Sequence, residues 1–217
     1  MKLQKLGGYA VFACWITFIA YVKFASGVLA QPITAKTMAA LSSARNEFNL
    51  CALLFLISFV LYLVPNVALY ERMRADAPCL TRLMLIAALT ATVMAIIESM
   101  ILLKSFGLIL EQDISAFKAC LAVANGLYLT LNHACGWSCL FGGCAILKTR
   151  AFSRTVGVIN VLTGIVWIPS PFIVQYGFSL IGPIIYALSG IGSIWIAIEL
   201  IRQKQFQPES KIMAASR

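Results

Sequence analysis

Long apolar stretches alternate with short polar segments along the chain, and this pattern predicts membrane-spanning helices. An α-helix rises about 1.5 Å per residue, so about 20 apolar residues cross a hydrocarbon layer of about 30 Å. The stretches lack the strict alternation of a membrane β-barrel, which argues against spanning strands. Six stretches fit the helical pattern: residues 6–29, 48–69, 80–110, 116–147, 156–168 (to 174 if the helix continues) and 178–201.

The predicted fold is therefore an all-α integral membrane bundle of six transmembrane helices. A single transmembrane domain occupies residues 1–202, and residues 203–217 form a polar tail. The third and fourth stretches are longer than a bilayer requires, so we expect them to tilt or to extend beyond it. Pro169 and Pro171 predict a kink or an end after the fifth stretch, because proline lacks a backbone donor. Residues 35–45 predict a short amphipathic helix on the membrane surface.

Basic residues at the ends of the stretches predict the orientation of the helices. With six spans, most of them fall on one side of the membrane, whereas Lys36 and Arg45 lie on the other side near Glu47, Glu111 and Asp113. The positive-inside rule then places both termini in the cytoplasm, with the tail. The basic residues on this predicted cytoplasmic side are Lys2, Lys5, Arg72, Arg74, Arg82, Lys148, Arg150, Arg154, Arg202, Lys204, Lys211 and Arg217.

The first stretch has a second interpretation as a secretory signal peptide. It combines a basic start, an apolar core and Val28-Leu29-Ala30 before Gln31, which resembles a cleavage site. Its apolar part is long for a signal peptide, and this favours a first membrane span. Cleavage would leave five helices and the same orientation for the remainder.

Composition agrees with a protein whose main solvent is lipid. Apolar residues make up 61% of the 217 residues and charged residues 12%, and the mean hydropathy is +0.89. A soluble domain of this size could not bury so many apolar side chains. The net charge of +9 would suggest nucleic acid binding in a soluble protein, but here the basic residues lie at helix ends. We therefore expect the lipid bilayer as a partner and no nucleic acid.

Glu98 lies inside the third stretch, more than two helical turns from its outer end. An ionised carboxylate at that depth is costly, so the group must be neutral, paired or in contact with a wet cavity. Two interpretations follow. Glu98 is either a functional group, as a proton or cation relay or a ligand anchor, or a structural partner of Lys23, Lys104 or a tyrosine hydroxyl.

The fourth stretch carries the most polar residues. Asn125, Tyr128 and Asn132 recur at spacings of 3 and 4, which places them on one helix face. Tyr128 lies at a depth near that of Glu98, Asn125 lies above that level and Asn132 below it. His133, the single histidine of the chain, is adjacent. We predict that Glu98, Asn125, Tyr128, Asn132 and His133 contribute to an intramembrane ligand pocket. The alternative is that the asparagine side chains join helices by hydrogen bonds.

Cysteine and histidine patterns predict no metal or cofactor. Seven cysteines occur without a C-x-x-C motif, and a single helix cannot direct His133, Cys135, Cys139 and Cys144 to one ion. A single histidine excludes a bis-histidine haem within one chain. Motifs of phosphate-binding loops, zinc peptidases and serine hydrolases are absent. No catalytic residue is therefore predicted.

Small residues recur one turn apart in two stretches, and such patterns let helix backbones approach closely. They predict tight packing within the chain or contact with a membrane protein partner or a second copy. The residues are Ala134, Ser138 and Gly142 in the fourth stretch and Ser189, Ser193 and Ala197 in the sixth.

Several short motifs give the chain a resemblance to a known family. They are Leu6-Gly7-Gly8-Tyr9, Ala68-Leu69-Tyr70, Gly126-Leu127-Tyr128, the small-residue run 139–144, Ala151-Phe152-Ser153-Arg154 and Thr163-Gly164. Together they resemble the bacterial six-helix membrane proteins of the family called domain of unknown function 4386. The resemblance spans about residues 6–202 and implies six helices and a bacterial inner membrane. It implies no reaction, cofactor or catalytic residue.

Three functions follow from these observations. The favoured one is a non-enzymatic bundle that binds a partner or lipid, as an accessory subunit, because small-residue faces are present and catalytic motifs are missing. The second is a small-molecule carrier or channel with Glu98, Asn125, Tyr128 and Asn132 along its path. The third is a membrane-embedded enzyme acting on an apolar substrate, with His133 as base and a cysteine nucleophile from another part of the fold.

Overall fold

The computed structural model describes residues 3–28, 33–174 and 181–202, which are helical apart from short connections. No β-strand occurs in these ranges, and six segments are long and apolar enough to cross a membrane, which confirms the predicted all-α fold. The predicted tail at 203–217 lies outside the described residues, as do positions 29 and 178–180 of two predicted spans. The helices are α1 Leu3–Val28, α2 Ala35–Ser43, α3 Arg45–Met73, α4 Pro78–Leu110, α5 Ile114–Thr149, α6 Arg154–Trp167, α7 Ser170–Val174 and α8 Ile181–Arg202.

The six spanning segments form a closed ring. In chain order α1 packs on α3, α3 on α4, α4 on α5 and α5 on α6, and α8 packs against both α6 and α1. We call the end that carries the connection 111–113 the upper end, and the end that carries 74–77 and 150–153 the lower end. A ring of this kind has an interior where polar side chains can lie without contacting lipid.

The helices extend beyond the apolar stretches that predicted them. α3 begins at Arg45 rather than at position 48, and α5 covers Ile114–Thr149 rather than 116–147. Asp113 caps α5 by accepting a hydrogen bond from the Ala116 backbone N at 2.9 Å. α5 has 36 residues, so at about 1.5 Å per residue it is longer than a hydrocarbon layer of about 30 Å. Backbone hydrogen bonding therefore continues through the polar flanks, which apolar patterning alone does not reveal.

The fifth span is broken at the predicted prolines. α6 ends at Trp167 and α7 begins at Ser170, so the helix stops at Pro169 and resumes as a short segment. Together the two pieces form the fifth membrane-spanning segment, Arg154–Phe172. The break brings the end of α6 and the start of α7 beside α5.

The predicted amphipathic helix forms as α2, Ala35–Ser43, and is two residues shorter than predicted. Its apolar side chains Met38 and Leu41 are fully or almost fully buried. They pack against the upper ends of α3, α4 and α5, where their neighbours include Phe48, Phe106 and Phe117. The apolar face of α2 is thus covered by the chain itself.

α5 and α6 approach each other at glycines. A Cβ atom at Gly143 would lie 2.6 Å from the backbone N of Val161, and one at Gly164 would lie 2.6 Å from that of Leu140. Real Cβ atoms essentially never come so close to another atom, so the contact between the two backbones depends on glycine at both positions.

Candidate functional site

Glu98 lies on α4 inside the ring, with only 4% of its surface exposed. Among the described residues it is the one charged side chain that is buried. Its Oε2 atom is shielded from solvent and has no hydrogen-bond partner in the described part of the chain, so Lys23 does not donate to it. A buried carboxyl oxygen without a donor is costly in a membrane protein, so it needs a partner such as a water molecule, an ion or a ligand. The Ser153 hydroxyl is the other buried side-chain atom without a partner among the described residues.

Glu98 lines a cavity of about 370 Å³ in the upper half of the ring. Helices α1, α4, α5 and α8 supply its walls. Apolar side chains form about half of the described wall, and no basic residue contributes to it. The polar wall residues are Glu98, Asn125, Tyr21, Tyr128 and Tyr186, and the apolar ones are Val22, Ala25, Leu102, Leu121 and Ala124.

Three tyrosines from three helices surround the cavity. The Tyr128 hydroxyl on α5 forms a hydrogen bond with the Tyr186 hydroxyl on α8. Tyr21 on α1 packs on Phe55, with ring centroids 4.6 Å apart, and Phe18 packs on Tyr186 at 5.6 Å. The rings are therefore held by neighbouring aromatic side chains. The cavity wall combines one carboxyl group with neutral hydroxyl and amide groups and with aromatic faces.

Three of the five predicted site residues meet at this cavity. Glu98, Asn125 and Tyr128 all line it, and the Asn125 side chain is exposed. The helical spacing of 3 between Asn125 and Tyr128 places both on the interior face of α5, as the sequence suggested.

Asn132 joins helices below the cavity. Its Nδ2 donates to the Tyr128 carbonyl oxygen of its own helix at 2.8 Å, and its Oδ1 accepts from Trp167 Nε1 of α6 at 3.1 Å. Both ends of the amide thus have partners, which agrees with the alternative interpretation of this residue as an interhelical contact.

His133 lies on the α6 side of α5, away from the Glu98 cavity. Trp137 Nε1 donates to His133 Nε2 at 3.0 Å, so the Nδ1–H group donates to the Ile168 carbonyl oxygen at 2.9 Å. This carbonyl lies at the break between α6 and α7. Both ring nitrogens are therefore engaged, and the histidine does not reach the cavity residues with which the sequence grouped it.

Sequence reasoning missed Tyr21 and Tyr186. Each lies within a spanning segment whose other residues gave no reason to connect it with Glu98. The available signal was the hydroxyl group itself, since a tyrosine deep in an apolar stretch needs a polar partner. The missing information was the helix order, which brings α1 and α8 beside α4 and α5.

Among the described residues, no cysteine or histidine lines this cavity. In the ranges that the structure covers, no group of three His, Cys, Asp or Glu side chains is placed to hold a metal ion.

Comparisons with protein-family models, curated proteins and solved structures found no match for this chain. The family resemblance stays a prediction.

Proposed function

We propose that this protein binds a small organic cation in the Glu98 cavity. The observation that carries the proposal is the buried Glu98 Oε2 atom, which has no hydrogen-bond partner among the described residues. A cation with N–H groups in the cavity would supply a donor and an opposite charge once a rotation of the Glu98 side chain turns this shielded oxygen toward the ligand. Hydrogen bonds between a carboxylate and a charged donor are about twice as strong as neutral ones.

The rest of the wall suits a cation with an apolar body. No basic residue in the described wall competes for Glu98, and the tyrosine rings can contact a cation through their faces. A volume of about 370 Å³ lies within the range of about 300–1,000 Å³ that is typical of pockets for small organic ligands. Side chains such as Leu102 and Leu121 favour a ligand with a hydrocarbon part.

The two other functions have less structural support. An accessory subunit was favoured because small-residue faces were available to a partner. Ala134, Ser138 and Gly142 are buried within the bundle, so these positions serve packing inside the chain. An enzyme was considered with His133 as base, but both of its ring nitrogens hold hydrogen bonds to Trp137 and Ile168.

We expect the protein in a bacterial inner membrane with both termini in the cytoplasm. Support comes from the family resemblance and from the charges at the two ends of the ring. Arg72, Arg74 and Arg150 lie at the lower end, whereas Glu111 and Asp113 lie at the upper end. The positive-inside rule then places the lower end in the cytoplasm and the Glu98 cavity in the outer half of the membrane.

The proposal is tested by calorimetric titration of the full chain in lipid nanodiscs. Benzylguanidine is a suitable probe, because it is a cation with a planar array of N–H donors, and benzylurea is its neutral counterpart. We expect benzylguanidine to bind at least about tenfold more tightly than benzylurea, since a charge-assisted hydrogen bond contributes about 1.5–3 kcal/mol. Glu98→Gln should remove this preference.

Glu111→Gln is the matched control, because Glu111 is an exposed carboxylate outside the cavity. It should leave the affinity for benzylguanidine unchanged. Three results would each contradict the proposal: no detectable binding of benzylguanidine at millimolar concentration, equal binding of benzylurea, or equal affinity in Glu98→Gln and wild-type protein.

A further inference from the structure

Two smaller cavities continue below the Glu98 cavity along the interior of the ring. We call the Glu98 cavity the upper cavity. The middle cavity, of about 70 Å³, has Ser58, Asn132 and Ser189 among its wall residues. The lower cavity, also of about 70 Å³, has Asn66, Ser138 and Asn160 in its wall. Each is large enough for a few water molecules.

The three cavities follow one another in the same order on several helices. On α5 the wall positions are 121–128 for the upper cavity, 128–135 for the middle and 138–146 for the lower. On α1 the order runs in reverse along the chain, from Tyr21 in the upper cavity through Phe18 in the middle to Val11 in the lower. Helices of opposite direction thus agree on the order of these three cavities. A further cavity of about 200 Å³, which extends to Ser170 and Pro171, shares Tyr128 and Tyr186 with the upper and middle cavities.

Neighbouring cavities share wall residues. Tyr128 and Tyr186 line both the upper and the middle cavity. Cys14, Tyr62 and Ser193 line both the middle and the lower cavity. Trp15 is shared by the middle and lower cavities as well, so neighbouring cavities are adjacent and have a few side chains in common.

The row is as long as the membrane is thick. Its wall positions on α5 extend from Leu121 to Ile146. At about 1.5 Å per residue this stretch measures roughly 37 Å, and the hydrocarbon layer is about 30 Å thick. Polar side chains that face the interior of a membrane bundle over its whole depth are typical of a path for a substrate or an ion.

We propose that the three cavities form one path across the bundle for a small cation, closed below Glu98 by the hydrogen-bonded pair Tyr128 and Tyr186. In the ring α6 separates α5 from α8, so this hydrogen bond crosses the interior. A bond between two neutral hydroxyl groups is weak enough to break and form again during transport. The identity of the cargo rests on the proposed function, whereas the existence of the path does not.

Native cysteines allow a direct test of the path. Cys14 and Cys135 line the middle cavity, and Cys51 is buried and lines none of the described cavities. Cys79 is exposed near the lower end. The full chain in nanodiscs is treated with the cationic thiol reagent 2-(trimethylammonium)ethyl methanethiosulfonate. Mass spectrometry of peptides then gives the modification rate of each cysteine.

Tyr186→Phe removes the hydrogen bond and keeps the ring. We expect the modification rate of Cys135 to rise about fivefold, the factor that corresponds to the loss of one neutral hydrogen bond from the closed state. Tyr186→Ala should raise it further. Cys79 should react equally in all variants, and Cys51 should stay unmodified. Tyr70→Phe is the matched control, because Tyr70 lines none of the described cavities, and it should behave as the wild type.

A Cys135 rate within twofold of the wild-type rate in both Tyr186 variants would overturn the proposal. An equal rise in the modification rate of Cys51 in Tyr186→Phe would overturn it as well, since a general loosening of the helix packing would then explain the modification of Cys135. If the modification rate of Cys135 alone rises but the protein fails to bind benzylguanidine, the path is supported and an organic cation is excluded as its cargo.

Discussion

The contact between α5 and α6 and the Glu98 cavity differ in whether their buried polar groups have hydrogen-bond partners. At the contact, His133 and Asn132 each have two hydrogen-bond partners, and these include Ile168 and Trp167 at the end of α6. At the cavity, Glu98 Oε2 has no partner within the described residues. One region pairs its polar side chains by hydrogen bonds, and the other leaves a buried carboxyl oxygen without a partner among the described residues.

The difference follows from how the two regions pack. At the α5–α6 contact, glycines bring the backbones together, and side chains reach partners on the facing helix. At the upper end of the ring, tyrosines and leucines surround an open volume of about 370 Å³. Because lipid offers no hydrogen bonds, a polar group in a membrane protein must find its partner in the chain, in water or in a ligand. The paired groups at the contact stabilise the bundle, and the unpaired Glu98 oxygen is the proposed binding group.

The largest expected effect on stability comes from replacing a glycine at the α5–α6 contact by a larger residue. Gly164→Val would place a branched side chain where a Cβ atom already meets Leu140 at 2.6 Å, so α5 and α6 must separate. We expect the free energy of unfolding to fall by about 1–3 kcal/mol, the usual cost of overpacking. Reversible unfolding in mixed micelles measures this change.

Gly126→Ala is the control for that substitution. A Cβ atom at Gly126 would meet nothing within 4 Å, although the residue lies on the same helix, α5. Its unfolding free energy should stay equal to that of the wild type or rise slightly, because alanine favours the helix over glycine. Equal stability of Gly164→Val and Gly126→Ala would contradict the close contact.

A smaller effect on stability is expected from His133→Ala. The change leaves Trp137 Nε1 and the Ile168 carbonyl without their partner, which costs about 1–2 kcal/mol of unfolding free energy. The affinity for benzylguanidine should change less than the stability does, because His133 does not line the Glu98 cavity. Unfolding and calorimetric titration of the same preparation measure the two quantities.

Thr130→Ala serves as the control for His133→Ala. Thr130 is exposed one turn away on α5 and bonds only within its own helix, to the Gly126 carbonyl. It should leave both quantities unchanged. Loss of benzylguanidine binding in His133→Ala at unchanged stability would assign the histidine to the site and remove the contrast between the two regions.

Much of the fold was predictable because each spanning helix carries its own signal. Long apolar stretches predicted the helices, the prolines at 169 and 171 predicted the break between α6 and α7, and residues 35–45 predicted α2. The helix ends were less predictable. α3 and α5 continue through polar flanks at Arg45 and Thr149, because the backbone needs no apolar side chains to keep its hydrogen bonds outside the hydrocarbon layer.

The site was predictable only in part, for a physical reason. The depth of Glu98 and the spacing of Asn125 and Tyr128 are properties of single helices, and they led to the cavity. His133 and Asn132 each have one partner at the end of α6, Ile168 and Trp167, and Tyr186 is on α8, so their roles depend on which helices are neighbours. Helix order in a membrane bundle is set by packing between helices, and no residue pattern within one helix encodes it.

The most direct test of transport through Glu98 is uptake of radiolabelled benzylguanidine by liposomes that contain the purified protein. We predict saturable uptake above that of protein-free liposomes, and a decrease of at least about tenfold in Glu98→Gln, as expected for the loss of a charge-assisted contact. Glu111→Gln should transport as the wild type does. Uptake by wild-type proteoliposomes no faster than by protein-free liposomes, or equal uptake by wild type and Glu98→Gln, would contradict a cation path that begins at Glu98.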